Sequence, residues 1–245
     1  MFGLCRGKYA ARLAQTEQDV RACQKLRARV FRGASVELDA DTFDVRCSHV
    51  LVECAKTSNL VACFRLLELT NGSEIAQSYS AQFYELSGLE SFTGKMLEMG
   101  RFCVSPGLQD ADILRVAWGA MTRYVDDNRV EMLFGCSSFS GTDSAGYEDA
   151  FALLKDRHLA PSRWLPRVKA ASVFPFSSLL RLRKPDLKQA MKTLPPLLRT
   201  YLLMGGWVSD HAVVDRDLNT LHVFTGLEIR AIPPARARLL RAAAG

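Results

Sequence analysis

The stretch Lys95-Met-Leu-Glu98-Met-Gly100-Arg101-Phe-Cys-Val104 decides the fold. It reads as a buried strand, is closed by the turn residues Ser105-Pro106-Gly107, and carries a carboxylate and a guanidinium inside an otherwise apolar run. After the turn, Ile113, Leu114, Ala117, Trp118, Met121, Tyr124 and Val125 recur at the steps of an amphipathic helix over Asp110–Asp127. Val130–Cys136 then predicts a second short buried strand. A strand, a helix and a strand in that order close as a parallel crossover.

Upstream, Thr16-Glu17-Gln18-Asp19 resembles a capping box, and Val20, Cys23, Leu26, Val30 and Phe31 continue it as an amphipathic helix ending near Gly33. An acidic loop from Glu37 to Asp44 leads to His49–Cys54 and Leu60–Leu69, two β-rich runs joined by Lys56-Thr57-Ser58-Asn59 and so read as a hairpin. Downstream, Asp143–Arg157 predicts a helix, followed by a proline-punctuated basic segment, a helix over Asp186–Met204, and strands at Trp207–Val214 and Leu221–Ile229. These elements predict an α/β fold, equally describable as α+β, built on a mixed sheet with helices on both faces.

With 245 residues, 48% of them apolar, the chain can bury one sizeable core, so one domain over residues 1–245 is expected. A basic part from about residue 160 would complete it. Met1–Ala10 lacks a signal-peptide core and no run approaches the roughly 18 apolar residues of a membrane span, so a cytoplasmic protein is expected. The seven cysteines form no C-x-x-C pair and only four histidines accompany them, which favours free thiols over disulfides or a metal site.

The net charge of +6 suits nucleic acid, an anionic membrane or an acidic protein about equally. Its location is more informative. Arg163, Arg167, Lys169, Arg181, Arg183, Lys184, Lys188, Lys192 and Arg199 interleave with Trp164, Phe174, Phe176, Leu179, Leu180 and Leu182, and no nucleic-acid motif accompanies them. This pattern points to the surface of an anionic membrane rather than to nucleic acid, while an ordinary solvated face over a core remains open.

Several catalytic signatures are absent: a Walker loop, a G-x-G-x-x-G turn and a G-x-S-x-G elbow. His211 and Asp215 have the wrong spacing for a histidine-aspartate acyltransferase motif, and His158 and His222 read as structural. The stronger constellation is Arg27, Asp41, Asp44, Arg65, Glu98 and Arg101. A separation of three puts Glu98 and Arg101 on opposite strand faces unless a bulge at Gly100 resets the alternation. A carboxylate inside a strand costs free energy unless paired or wet, so Glu98 is either functional or ion-paired with Arg65 or Arg27.

Leu26-Arg27-Ala-Arg-Val30-Phe31, Asp41-Thr-Phe43-Asp44, Val61-Ala-Cys-Phe-Arg65-Leu66 and Leu97-Glu98-Met-Gly-Arg101-Phe102-Cys-Val104 are similar in order and spacing to acyl-homoserine-lactone synthases. Those are acyltransferases of the GNAT superfamily. The second half, Leu133-Phe134-Gly135-Cys136-Ser137-Ser138-Phe139-Ser140-Gly141-Thr142-Asp143, His158-Leu-Ala-Pro161 and Leu194-Pro-Pro-Leu197-Leu-Arg-Thr-Tyr201-Leu, resembles their relatives, the ornithine-acyl carrier protein N-acyltransferases. The resemblance covers roughly residues 20–230.

The resemblance implies a GNAT-type fold and an N-acyltransferase that joins a 3-hydroxyacyl chain from acyl carrier protein to the α-amine of L-ornithine, giving lyso-ornithine lipid. Carried over by position, Glu98 becomes the base that frees the attacking amine, directly or through water, with Arg101 beside it. Asp41 and Asp44 would hold the cationic ends of the amino acid. Arg27, Phe31 and Arg65 complete the substrate-binding set, and Arg101 and Arg27 would order the acidic loop or bind a carboxylate. Cys136, Ser137 and Ser138 would line the acyl or pantetheine channel, and GNAT enzymes transfer directly rather than through a cysteine. No metal or resident cofactor is expected, because the 4'-phosphopantetheine arm arrives on the carrier protein. Another N-acyl amino acid, an acyl-homoserine lactone, and an inactive module that binds membrane or carrier protein stay open as alternatives.

Overall fold

A computed structural model describes residues 3–33 and 36–244, so Met1, Phe2, Ala34, Ser35 and Gly245 of the expected domain lie outside the described residues. The strands are β1 (Gly3–Arg6), β2 (Tyr9–Leu13), β3 (Ser48–Cys54), β4 (Leu60–Leu69), β5 (Tyr84–Glu85), β6 (Met96–Val104), β7 (Met132–Ser140), β8 (Arg167–Val168), β9 (Val173–Phe174), β10 (Trp207–Val208), β11 (Ala212–Asp215) and β12 (Thr220–Glu228). The helices are α1 (Glu17–Arg27), α2 (Ala111–Asn128), α3 (Glu148–Arg157), α4 (Phe176–Leu179), α5 (Leu187–Thr193), α6 (Pro196–Leu203) and α7 (Pro234–Ala244). They form two compact units: Met1–Glu68 with Met99–Val130 and Pro233–Gly245, and Leu69–Glu98 with Glu131–Ile232.

The first unit is a sheet in the order β1-β2-β3-β4, continued by the C-terminal half of β6. The capping box forms as the sequence predicts: the Thr16 hydroxyl accepts from Asp19 N–H, and Asp19 reaches back to the N-cap backbone. The helix then continues as a π-turn over Ala28–Arg32 and stops at Gly33, whose φ of 67° only glycine adopts without strain. Cys23 and Leu26 of α1 pack on Leu51, Cys63 and Cys103 of one sheet face. The opposite face carries α2, whose Tyr124 hydroxyl donates to Glu68 at 2.5 Å, and α7 is tied to α2 through Arg241 and Asp126.

In the second unit the N-terminal end of β6 pairs in parallel with β7, as the crossover predicts, and β7, β12, β11 and β9 follow, with β10 also on β12. Phe139, Leu221 and Val223 on one face pack against Phe151, Leu154, Phe176, Ala190 and Leu198 from α3, α4, α5 and α6. On the other, Tyr84 packs on His222 and Phe224, and Ser80 lies on Cys136, so the turn-rich segment between β4 and β6 is its cover. Gly226 lies beneath the Trp207 indole, where a Cβ would meet ring carbons at 2.4 Å.

Two expectations need correction. The helix expected over Asp186–Met204 is two helices, because Pro195 and Pro196 remove amide donors and hold Leu194 extended at ψ 127°. The strand expected at Trp207–Val214 breaks at Ser209, whose hydroxyl accepts from Phe224 N–H and donates to the His211 carbonyl. The hairpin β1–β2, turning at Gly7 with φ 61°, had no counterpart in the sequence reading.

Candidate functional site

Within the first unit, five of the six residues of the sequence constellation, Arg27, Asp41, Asp44, Arg65 and Arg101, come together, and Asp39 and Arg32 join them. Arg27, buried at the end of α1, donates to both oxygens of Asp44 at 2.8 and 2.9 Å and to Asp39 Oδ2 at 3.0 Å. Arg65 on β4 forks across Asp41 at 2.6 and 2.8 Å and reaches Asp44 at 2.7 Å. Arg101 donates to Asp39 at 3.1 Å and to Asp41 at 3.4 Å, and Arg32 to Asp39 at 2.8 Å. Gln24 and His49 add bonds to the Asp44 carboxylate and carbonyl.

Burial by itself would raise the Asp39 carboxyl, but the Arg101, Arg32 and Arg27 guanidiniums outweigh it and hold the group below its ordinary range. Asp44 is likewise held low against burial by Arg27, Gln24 and Arg65. The loop is therefore bound as a lattice of ion pairs, of which Arg27 with Asp44 and Arg65 with Asp41 are bidentate, the geometry for which guanidinium suits carboxylate. Asp41 is its most accessible acid, with 27% of its side chain exposed against 2% for Asp39 and 5% for Asp44. Phe31 packs beside this lattice against the Cys23, Leu26 and Cys63 cluster. Arg101 adopts φ 54°, so the strand is irregular next to Gly100, the position at which a bulge would reset the alternation.

Within the second unit, Glu98 sits at the last position where β6 pairs with β7, opposite Phe134. It is almost wholly buried. Its Oε2 accepts from Tyr79 N–H at 2.7 Å, and its Oε1 accepts from Ser80 N–H at 2.7 Å and Ser80 Oγ at 2.5 Å. Three donors converging on two oxygens are the surroundings of a carboxylate acting as acceptor. The Ser80 hydroxyl also lies 3.4 Å from Cys136 Sγ. Its proton is committed to Glu98, so the thiol donates to it, giving a line Cys136, Ser80, Glu98. Burial, and after it the Glu98 charge, push Tyr201 up.

Cys136 and Ser138 share the strand face that the Ser80 segment covers. Ser137 points the other way and accepts a hydrogen bond from Thr225 at 2.9 Å. Asp215 accepts from Leu218 N–H, while the His211 ring meets Asp210 at 2.7 Å, so the 211–215 spacing assembles no dyad. All seven cysteines are free, and no cluster that could hold a metal occurs among the described residues. Sequence reasoning missed Asp39, Arg32, Tyr79 and Ser80. Asp39 was legible as an acid within the loop, whereas nothing in the aperiodic stretch around Ser80 announces a partner for Glu98.

The family model for an acetyltransferase (GNAT) domain matches residues 23–119. A Rhodobacter capsulatus protein named L-ornithine N(alpha)-acyltransferase is 34% identical over 91% of this chain and 91% of its own. A Brucella abortus protein of the same name is 29% identical over 92% of this chain and 86% of its own. Among solved structures, TofI in an apo form is 14% identical with a TM-score of 0.53, covers 97% of this chain and 99% of its own, and shares the fold. The chain belongs to the acyltransferase family whose relatives carry the name L-ornithine N(alpha)-acyltransferase, on a GNAT-type fold.

Proposed function

We propose that this protein transfers a 3-hydroxyacyl chain from acyl carrier protein to the α-amine of L-ornithine, forming lyso-ornithine lipid. The observation that carries the reading is the 34% identity to the Rhodobacter capsulatus relative across 91% of both chains. In this reaction the α-ammonium loses a proton to Glu98, directly or through water, and the freed lone pair attacks the thioester carbonyl. The C–N bond forms, the C–S bond breaks, and the departing pantetheine sulfur is protonated. Asp41 is the accessible acid of the lattice. Arg27, Arg65 and Arg101 hold it, and Asp44 acts by ordering the loop.

The choice of carrier protein over coenzyme A is supported by the start of α2. Its N-cap is Asp110, which accepts from Asp112 N–H, and Asp112 adds a second carboxylate in the first turn. Lys8 and Arg115 pair with these two acids, so the cations near that helix end are already engaged. Carboxylates there suit the helix dipole and disfavour a pyrophosphate. A carrier protein delivers the same arm on one phosphodiester, and its acidic surface complements a chain of net charge +6. The arm and chain would run past Cys136 and Ser138. A product with one long chain partitions into bilayers, so the reading includes a cytoplasmic protein in peripheral contact with the inner membrane face. No helix among the described residues is long and apolar enough to span it.

Purified protein with 3-hydroxyacyl carrier protein and a panel of L-ornithine, L-lysine, L-glutamine, glycine and S-adenosylmethionine tests the acceptor. L-ornithine is expected to give the highest kcat/KM, with acylation at the α-nitrogen. A higher value for another acceptor would move the chain to a different N-acyl product, and no turnover with any would support the inactive module.

A further inference from the structure

The segment joining α4 to α5 in the second unit exposes leucines on a backbone fastened from below. Lys155 of α3 donates to the carbonyls of Leu180 at 2.8 Å, Arg181 at 3.2 Å and Arg183 at 3.1 Å. Arg183 turns back onto Glu148 and Asp149, and Asp149 also accepts from Asp186 N–H. Phe176 and Leu180 go into the core. Leu182, between two arginines, is left 87% exposed and Leu179 63% exposed, and Leu187 and Met191 stay accessible on α5. Over residues 179–192 the cations Arg181, Arg183, Lys184, Lys188 and Lys192 face one acid, Asp186, which is occupied as the N-cap of α5.

We propose that this fastened loop and α5 form the surface by which the protein docks on an anionic lipid bilayer, Leu179 and Leu182 entering the acyl boundary and Arg181, Lys184, Lys188 and Lys192 meeting the headgroups. The inference deepens the lipid-product reading, but its test is independent of the acceptor. Exposed leucines flanked by cations match the layering of a bilayer edge, apolar inside and anionic outside. A lipid interior accepts a protruding leucine without a matching socket, whereas a folded acidic protein must supply one, which is why lipid is the better occupant. Arg183 is excluded from the headgroup set because its fork is taken up by Glu148 and Asp149.

The experiment is co-sedimentation of the full chain, without donor or acceptor, with vesicles of equimolar phosphatidylcholine and phosphatidylglycerol. Wild-type protein is expected to bind these and to bind pure phosphatidylcholine far less. At about fivefold per cation, replacing Arg181, Lys184, Lys188 and Lys192 with Gln should weaken binding on the order of a hundredfold or more. Leu179→Ser with Leu182→Ser should weaken it on the order of tenfold. Arg163→Gln with Arg167→Gln, exposed cations elsewhere in this unit, should change it much less than the four loop cations do. All these sites lie outside the core, and unchanged melting curves would confirm intact folds. Absence of wild-type binding, full retention in the leucine pair, or a loss in the Arg163/Arg167 control equal to that of the loop variants would overturn the assignment. So would loop variants that keep vesicle binding and lose acyl carrier protein binding, which would give the surface to the carrier.

Discussion

Glu98 serves two purposes with one carboxylate: it anchors the Tyr79–Ser80 turn and, in the proposed reaction, takes a proton. Replacing it with Gln leaves one carbonyl oxygen to accept from Ser80 and sets an amide donor against Tyr79 N–H, so a modest loss of stability is expected, about 1–3 kcal/mol. Turnover should fall on the order of a hundredfold or more, as loss of a general base does. Near-normal kcat from pH 7 to 9 would remove Glu98 from that role. Ser80→Ala deletes one hydrogen bond to the charged form of this acid, so the acidic limb of kcat/KM should move to higher pH, and Ser80→Thr should restore it. An unmoved limb in the alanine variant would leave Ser80 a purely structural residue. Cys136→Ala should stay within about tenfold of wild type if transfer is direct. A loss comparable to that of Glu98→Gln, with a donor-derived mass on wild-type Cys136, would instead indicate an acyl-enzyme. The sequence singled out Glu98 because a lone acid in an apolar strand is costly, but its partner lies 18 positions upstream, in a stretch with no periodicity to read.

At the scale of elements, the acidic loop depends on α1, β4 and β6 for the guanidiniums that bind it. Asp39→Ala would leave Arg27, Arg32 and Arg101 short of an acceptor in a buried setting, and removing one partner of such a lattice typically costs about 3–5 kcal/mol. For a chain of this size that corresponds to a Tm lower by about 10 °C, with Asp39→Asn affected less because it can still accept. A shift within about 1 °C for the alanine variant would contradict the lattice. The same ion pairs set an acid dependence. Asp39 and Asp44 are held below the value near 4 that a free carboxylate has in the unfolded chain. Their contribution is therefore complete above that value and is lost as pH falls through the lowered folded values. Melting curves from pH 7 down to 3 should show a steep fall below about pH 4, shallower in Asp39→Asn. Equal slopes would argue against it. The elements themselves were legible where local signals were strong: the capping box of α1, the β3–β4 hairpin and the β6–α2–β7 crossover. They were illegible where context overrides pattern. Pro195 and Pro196 cut a helix whose apolar spacing runs on through them, and the Ser209 hydroxyl competes with the sheet ladder between β10 and β11.

For the whole molecule, the mixed sheet and the helices on its faces followed from strand and helix order, whereas the reaction came from short motifs similar to a family and not from composition. At the molecular scale the proposed donor is a protein, a reading that rests on the family resemblance and on the two carboxylates at the start of α2, with the net charge of +6 complementing an acidic carrier. Matched 3-hydroxyacyl carrier protein and 3-hydroxyacyl coenzyme A should therefore differ in kcat/KM in favour of the carrier, and the advantage should shrink as salt screens the interface. Equal or better use of the coenzyme A thioester would return the chain to a small-molecule donor. The most direct measurement is mass spectrometry of lipids from cells that lack ornithine lipids, expressing either the wild-type chain or Glu98→Gln alongside a suitable carrier protein. The wild type should produce a species with the mass of 3-hydroxyacyl-ornithine whose fragments place the amide on the α-nitrogen, and the variant almost none of it. No such species from the wild type, or equal amounts from both proteins, would contradict ornithine acylation with Glu98 as its base.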